Sequence, residues 1–404
     1  MALGGGTEEE RFGCEDSGAP AFPSSARIAL LLPRFAHYSG VEQFGWRLAG
    51  ALAQRGYSVD FICARQESEP PPGVRVIEVG RYGVLRSLKY LWFLVRAEQV
   101  RRAGRYDLCF SLAKTWNQDI IRIGGGPLQS FWKLSGQAWP AGPKRMWKQL
   151  ARRLRLSNWL TIFVEKRFYR NTSCLVAISD SVRQWMLEEY PHLADAERYG
   201  QEVLTIYNCP DVSRFSPPSP QEREQARQAL GVRPGGYVLG LATTNFALKG
   251  VAPLIRALTL LPDDVELHIA GGRNSLPYRK LAASLGLAGR VRFHGKIDAM
   301  ADFYHGLDMY VHPSFYDTLG NVVLEALGSG LRTLCSRQAG ASAFLPPEQV
   351  IQNPADPEEI AAKATALRAR ETVSSFSPKG AGIDDLVLLV GRKLAEKQAA
   401  KGRQ

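Results

Sequence analysis

Between MYVH (309–312) and RTLC (332–335) the chain reads SFYDTLGNVVLEALGSG (314–330). The flanking runs are short and mostly apolar, as expected of strands buried in a parallel sheet. The segment between them turns at Gly320 and continues from Asn321 as a helix pattern through Gly328. Strand, loop, helix and strand in that order form a βαβ unit, and such sheets bind ligands outside the carboxyl ends of their strands. Gly320 falls where loop becomes helix, so neighbouring amides can face a pyrophosphate. Glu325 follows about one turn into the helix, where it can accept hydrogen bonds from ribose hydroxyls. A carboxylate among Val, Leu and Ala needs such a partner. Asp317 precedes Glu325 with seven residues between them. A surface salt-bridging pair is the plain alternative, and the apolar surroundings argue against it.

Outward from this unit the same alternation continues. Strands are expected at 237–241, 265–270 and 291–294, with helices over 250–261 and 278–285. The first half shows it again, with strands at 27–32, 58–63, 74–79, 108–111, 174–178 and 203–207 and a helix over 42–54. Ser179-Asp180 caps a helix that runs through Glu189. Pro- and Ser-rich residues 210–222 mark a boundary. The fold class expected is α/β, with two Rossmann-like doubly wound domains facing a central cleft. The division expected is a disordered tail (1–26), an N-terminal domain (27–212), a C-terminal domain (213–370), and a linker with a last helix (371–404).

Two more loops at strand ends are candidates. Ser39-Gly40-Val-Glu42 precedes a helix, and its glycine permits close approach to an anion, though an ordinary tight turn reads the same way. Lys249 opens a helix after Thr243-Thr-Asn-Phe-Ala-Leu. A cation there runs against the acidic preference of a first turn, and an ammonium beside helix amides suits phosphate.

Composition narrows the partners. The 404 residues are 45% hydrophobic and 22% charged, a globular profile, and the net charge of +12 favours an anionic partner. Nucleic acid, an anionic membrane face and a phosphorylated substrate all qualify. The six cysteines form no C-x-x-C pair and read as reduced thiols, and the six histidines show no H-x-x-x-H spacing, so no metal site is expected. No signal peptide is legible in the first 25 residues, and no uncharged apolar run reaches the 18 residues of a membrane span.

In order, Ser39-Gly40-Val-Glu42, Ala177-Ile-Ser179-Asp180, Ile206-Tyr-Asn208, Lys249-Gly250, Val291-Arg-Phe-His-Gly295, His312-Pro-Ser and Leu324-Glu325-Ala326 resemble the retaining GT-B glycosyltransferases of the family 4 type. The pattern is similar to that of bacterial lipopolysaccharide core glycosyltransferases over about Arg27 to Ile360. The resemblance implies that Gly40 lies near the donor pyrophosphate and that Lys249 neutralises the leaving phosphates. Asp317 then stands for the first glutamate of the donor signature and binds sugar hydroxyls. Gly320, Asn321 and Val322 contact sugar and phosphate through the backbone, Glu325 holds the ribose, and Asp119 sits beside the reacting sugar. Two departures matter: Asp317 is one methylene shorter than glutamate, and Thr243-Thr244-Asn245 stands where many relatives carry an arginine, leaving Lys249 alone or helped by Arg273.

The implied activity is transfer of a hexose or related sugar from a nucleotide sugar, a UDP-sugar, to a glycolipid hydroxyl. Configuration is retained, and neither a metal nor a further cofactor is needed. Residues 131–170, with Phe131-Trp-Lys, Trp139, Lys144-Arg-Met-Trp147-Lys148, Arg152-Arg153, Arg155, Trp159 and Lys166-Arg167, join 81–105 in mixing basic and aromatic residues. Such helices suit an anionic bilayer, although core aromatics with a solvated basic face are the bland alternative. The expectation is a monomer, cytoplasmic and peripheral on the inner membrane, with no nucleic-acid partner. The alternatives are another cell-envelope or soluble glycan acceptor, or a basic nucleic-acid-binding protein, for which no recognition motif is present.

Overall fold

The computed structural model describes residues 26–38, 40–139, 142–207, 215–272, 274–370 and 382–402. The expected tail, the boundary at 208–214, Arg273 and most of the 371–382 loop lie outside the described residues.

Two parallel sheets carry the fold. The N-terminal sheet has seven strands in the spatial order Val74–Glu78, Ser58–Cys63, Arg27–Leu31, Leu108–Ser111, Ile120–Ile123, Cys174–Ala177 and Glu202–Thr205. The C-terminal sheet has six, in the order Val291–Gly295, Val265–Ala270, Tyr237–Ala242, Met309–His312, Arg332–Ser336 and Val350–Ile351. Every recorded pairing within them is parallel, which puts all carboxyl edges of a sheet on one side. The central strands are buried along their length because helices cover both faces. Val265–Ala270, for example, is buried at all six positions.

Amphipathic helices supply the cover. Helix Gly40–Gln54 buries Phe44, Gly45, Leu48, Ala49 and Leu52, a stripe at helical spacing, against the N-terminal sheet. Each fully buried large apolar side chain contributes about 1.5–3 kcal/mol before entropy is counted. The last helix, Ile383–Lys401, follows the C-terminal sheet in sequence yet packs on the N-terminal one, burying Leu386, Val387, Leu389, Val390 and Leu394 beside Ile28 and Phe61.

Several elements depart from the expectation. Strand Ile120–Ile123 was not anticipated, because Arg122 interrupts its apolar run. Helix Pro220–Leu230 begins inside the stretch read as a boundary loop: Ser219 accepts from the Glu222 amide while the Glu222 side chain returns to the Ser219 amide. Helices Arg86–Gly104, Leu128–Gln137, Pro143–Leu154 and Leu156–Asn171 fill the basic, aromatic stretches. Among the described residues no helix is long and apolar enough to cross a membrane. The four cysteines there (63, 109, 174 and 335) are buried and form no disulfide.

The two halves meet at Tyr316. Its ring stacks on Trp185 (centroids 4.6 Å apart) and meets Phe131 edge-on at 5.0 Å, and its hydroxyl donates to the Gly125 carbonyl. Beside it, Ser179 Oγ donates to the Thr318 carbonyl at 2.6 Å.

Candidate functional site

The carboxyl edges of both sheets open onto one cleft of about 890 Å³. Its C-terminal wall is built by the loop before helix Asn321–Gly328. Gly320 caps that helix at φ +88°, a left-handed conformation that glycine adopts without strain, and the helix start faces the cleft. Asn321 and Val322 follow on the same lining.

Lys249 enters from the turn before helix Val251–Ala257. Gly250 caps that helix at φ +71°, where a Cβ would collide with the Pro313 carbonyl, so the turn is pressed against the next loop. Lys249 Nζ donates to Asp317 Oδ2 at 2.5 Å and to the Tyr316 carbonyl at 3.1 Å. His312, fully buried at the carboxyl end of its strand, places Nε2 2.9 Å from the same Asp317 oxygen, while its Nδ1 has no partner among the described residues. Burial opposes the charge on Asp317. The Lys249 ammonium and the His312 hydrogen bond outweigh it and hold the carboxyl well below the usual carboxylate range. Burial in turn pushes His312 down, against the pull of Asp317, so it is neutral at pH 7 and donates from Nε2. Glu325, half-buried on the helix, accepts from the Tyr304 hydroxyl at 2.9 Å.

The N-terminal wall carries Gly40 at the start of its helix, Lys114, Arg122, Gly124 and Gly125. Lys114 pairs with Glu165, which is fully buried and also accepts from the Leu128 amide. Arg122 is buried and its Cζ lies 4.0 Å from the Phe44 ring centroid. Burial pushes its pKa down to about 9. Among the described residues no group of three His, Cys, Asp or Glu side chains is arranged to hold a metal ion.

Gly40, Lys249, Asp317, Gly320, Asn321, Val322 and Glu325 therefore share one cleft. Asp119 does not. It immediately precedes strand Ile120–Ile123, so it lies at the amino edge of a parallel sheet, the end away from the cleft. Its carboxylate accepts from the Cys109 amide at 2.7 Å and pairs with Lys397 of the last helix at 2.9 Å. It ties that helix to the sheet, and its expected place beside the reacting sugar is corrected. The error followed from the missed strand. Sequence reasoning assigned no role to His312 or Arg122. The available signals were a histidine closing a strand and a lone charge inside one.

Two facing Rossmann-like sheets with a ligand cleft between their carboxyl edges are the GT-B glycosyltransferase architecture. Residues 39–200 match the family model described as "Glycosyl transferase 4-like domain", and residues 236–370 match "Glycosyl transferases group 1". The chain is 27% identical over 331 residues to the D-inositol 3-phosphate glycosyltransferase of Xylanimonas cellulosilytica, covering 74% of this chain and 76% of that one. It is 27% identical over 155 residues to the lipopolysaccharide glucosyltransferase WaaG of Escherichia coli, covering 37% of this chain and 41% of that one. A WaaG crystal structure superposes with a TM-score of 0.64 at 18% identity over 91% of this chain and 94% of its own. Anabaena Alr3699/HepE, crystallised with UDP and glucose, superposes with a TM-score of 0.58 at 18% identity over 93% of this chain and all of its own. The chain belongs to the group 1, GT4-like glycosyltransferases, and is a nucleotide-sugar-dependent enzyme of that family.

Proposed function

We propose that this enzyme moves a hexose or related sugar from a UDP-sugar to a hydroxyl of a glycolipid acceptor, lipopolysaccharide core-like, with retention of configuration. The observation that carries the reading is the grouping of Lys249, Asp317, the helix start at Gly320 and Glu325 on one wall of one cleft. Glu325 suits ribose hydroxyls. The free amides at Gly320–Val322 and the Lys249 ammonium suit a diphosphate. Asp317, ionised and fixed by two donors, keeps an oxygen for sugar hydroxyls.

The chemistry follows from charge. As the glycosidic bond breaks, its electron pair stays on the phosphate oxygen and positive charge develops on the sugar. Lys249 and the helix amides stabilise that leaving group more in the transition state than in the bound donor. The acceptor oxygen forms the new bond from the same face, and its proton passes to the leaving phosphate, so no protein base is required. No metal ion enters this scheme, and activity is expected to persist in EDTA. Loss on chelation with recovery on Mg²⁺ or Mn²⁺ overturns that part.

Support for a UDP donor is the fold shared with HepE, which binds UDP and glucose. Support for a glycolipid acceptor is the likeness to WaaG and the exposed Met146, Trp147, Leu154, Leu156, Trp159 and Phe163 beside exposed Arg153, Arg155, Lys166 and Arg167 on the N-terminal half. This surface fits a protein peripheral on the cytoplasmic face of an inner membrane. A soluble phosphorylated polyol is the second acceptor reading, favoured by the name of the Xylanimonas relative. A thermal-shift screen of UDP-, GDP- and ADP-sugars tests the donor, with selective stabilisation by a UDP-sugar expected. Stabilisation by none of them sinks the reading.

A further inference from the structure

Four cationic side chains among the described residues line the cleft: Lys114 and Arg122 on the N-terminal wall, Lys249 and Lys296 on the C-terminal wall. Three are matched by a carboxylate: Lys114 by Glu165, Lys249 by Asp317, and Lys296 by Asp298. Arg122 is not. It is 5% exposed, and among the described residues its guanidinium has no ion pair and no hydrogen bond. Its neighbour is the ring of Phe44. Gly124 is close by, since a Cβ there would lie 3.6 Å from Arg122 Nη1. Phe44 stands one turn inside helix Gly40–Gln54, so the guanidinium lies near the helix start, whose first amides have no intrahelical acceptor.

A guanidinium brings one full charge and five N–H donors. Holding these away from water without a partner is costly, and contact with one aromatic face returns only part of that cost. Such a side chain is stable in this position when an anion completes it. Among the described residues the C-terminal wall offers Lys249 and Lys296, both already paired with a carboxylate. Lys249 already shares its ammonium with Asp317, and Thr243-Thr244-Asn245 supplies no cation before it. A diphosphate entering the cleft therefore meets a neutralised lysine on one wall and an unmatched guanidinium on the other.

We propose that Arg122 is the second cation of the donor site. Its planar fork takes two oxygens of the nucleotide diphosphate from the N-terminal wall, opposite Lys249. The diphosphate then bridges the two halves of the molecule, and the charge released when the glycosidic bond breaks is shared between cations from both. This rests on the reading of the cleft as a nucleotide-sugar site.

Isothermal titration of UDP and of uridine into wild type, R122M and R122K tests it. R122M removes the charge and the N–H donors and leaves a shorter, unbranched apolar side chain beside Phe44. Expected is UDP affinity about 10- to 100-fold weaker in R122M and intermediate in R122K, with uridine within about twofold throughout. UDP bound to R122M at wild-type affinity overturns the proposal. So does an equal loss for uridine and UDP, which marks damage to the whole site. If R122M does not fold, R122K decides: an unchanged melting temperature with weaker UDP binding is expected, and unchanged UDP affinity overturns the assignment. Loss of inorganic phosphate binding in R122M with full UDP affinity also overturns it and moves the guanidinium to an acceptor phosphate. A wild-type chain that binds none of UDP, GDP or ADP refutes the nucleotide reading itself, a distinct outcome.

Discussion

Lys249, Asp317 and His312 are one hydrogen-bonded chain, so replacing any of them changes the others. Asp317 stays ionised because an ammonium and an imidazole N–H both point at one of its oxygens. Lys249→Ala removes the stronger of the two and also the charge opposite the leaving group. It is expected to lower kcat as well as donor affinity, because a developing phosphate charge gains more from the ammonium than the intact donor does. Steady-state kinetics check this: a raised KM at unchanged kcat means uniform binding only. Glu325→Ala is expected to weaken nucleotide binding by about 10- to 100-fold, since hydrogen bonds to a carboxylate are worth about 1.5–3 kcal/mol each. The Tyr304 hydroxyl loses its nearer acceptor in the same variant and keeps the Val322 carbonyl at 3.3 Å, so Tyr304→Phe is the control, and it is expected to bind nucleotide within a few-fold of wild type. At this scale the gathering of Asp317, Gly320 and Glu325 on one cleft was legible because loop, glycine and carboxylate follow closely in the chain. His312 was not, because its meaning depends on Asp317 folding back across it. Asp119 was misread for the complementary reason: a residue one position before a strand and one just after it look alike in sequence, yet stand at opposite edges of the sheet.

Strands of the C-terminal sheet carry a second group of coupled charges. His268 is fully buried beside Glu266 (3.4 Å) and His294 (3.1 Å), with Arg292 on the same Glu266 oxygen and Arg233 on the other. Burial, then the neighbouring His294, push His268 down to about 4, against the pull of Glu266. Its ordinary value is about 6.5. Between these two values the unfolded chain binds a proton that the folded chain refuses. Stability is therefore full above about 6.5, falls as pH drops toward about 4, and levels off below. The loss at this one group is at most on the order of 3 kcal/mol. Urea unfolding at pH 7 and pH 4.5 measures it, and His268→Gln is expected to flatten the pH dependence. An unchanged slope removes His268 as the cause. Most elements of both sheets could be read from apolar runs, since strands buried on both faces announce themselves. The strand through Arg122 could not, because a buried charge broke its pattern. The helix after Ser219 was hidden by its own prolines, although its capping box was written in Ser219-Pro-Gln-Glu222.

Over the whole molecule the charge and the exposed aromatics fall on the N-terminal half. Helices Pro143–Leu154 and Leu156–Asn171 leave Trp147 and Trp159 exposed while Phe168 and Tyr169 enter the core, so these helices are neither wholly core nor wholly solvated. Some of the basic residues are engaged within the fold: Lys148 Nζ sits 3.7 Å from the Trp139 ring centroid and Arg152 reaches Ser135. Arg153, Arg155, Lys166 and Arg167 are among the exposed ones. Sedimentation with anionic vesicles is expected at low salt, at roughly 1 kcal/mol per basic residue near the surface, and weaker as salt shortens the Debye length. Glutamine at those four positions is expected to reduce it, and indifference to the vesicles at low salt rejects a membrane role. Two facing α/β domains were legible because alternation repeats twice along the chain. That the last helix returns to the first sheet was not, since nothing in an amphipathic helix names the sheet it covers. The return has a mechanical consequence. The polypeptide passes to the C-terminal half after Thr205 and returns before Ile383, so both ends of that half are tied to the N-terminal one. Arg122 and Lys249 thus face one cleft from two halves that the chain joins twice, and a cut in either connection leaves them joined by the other.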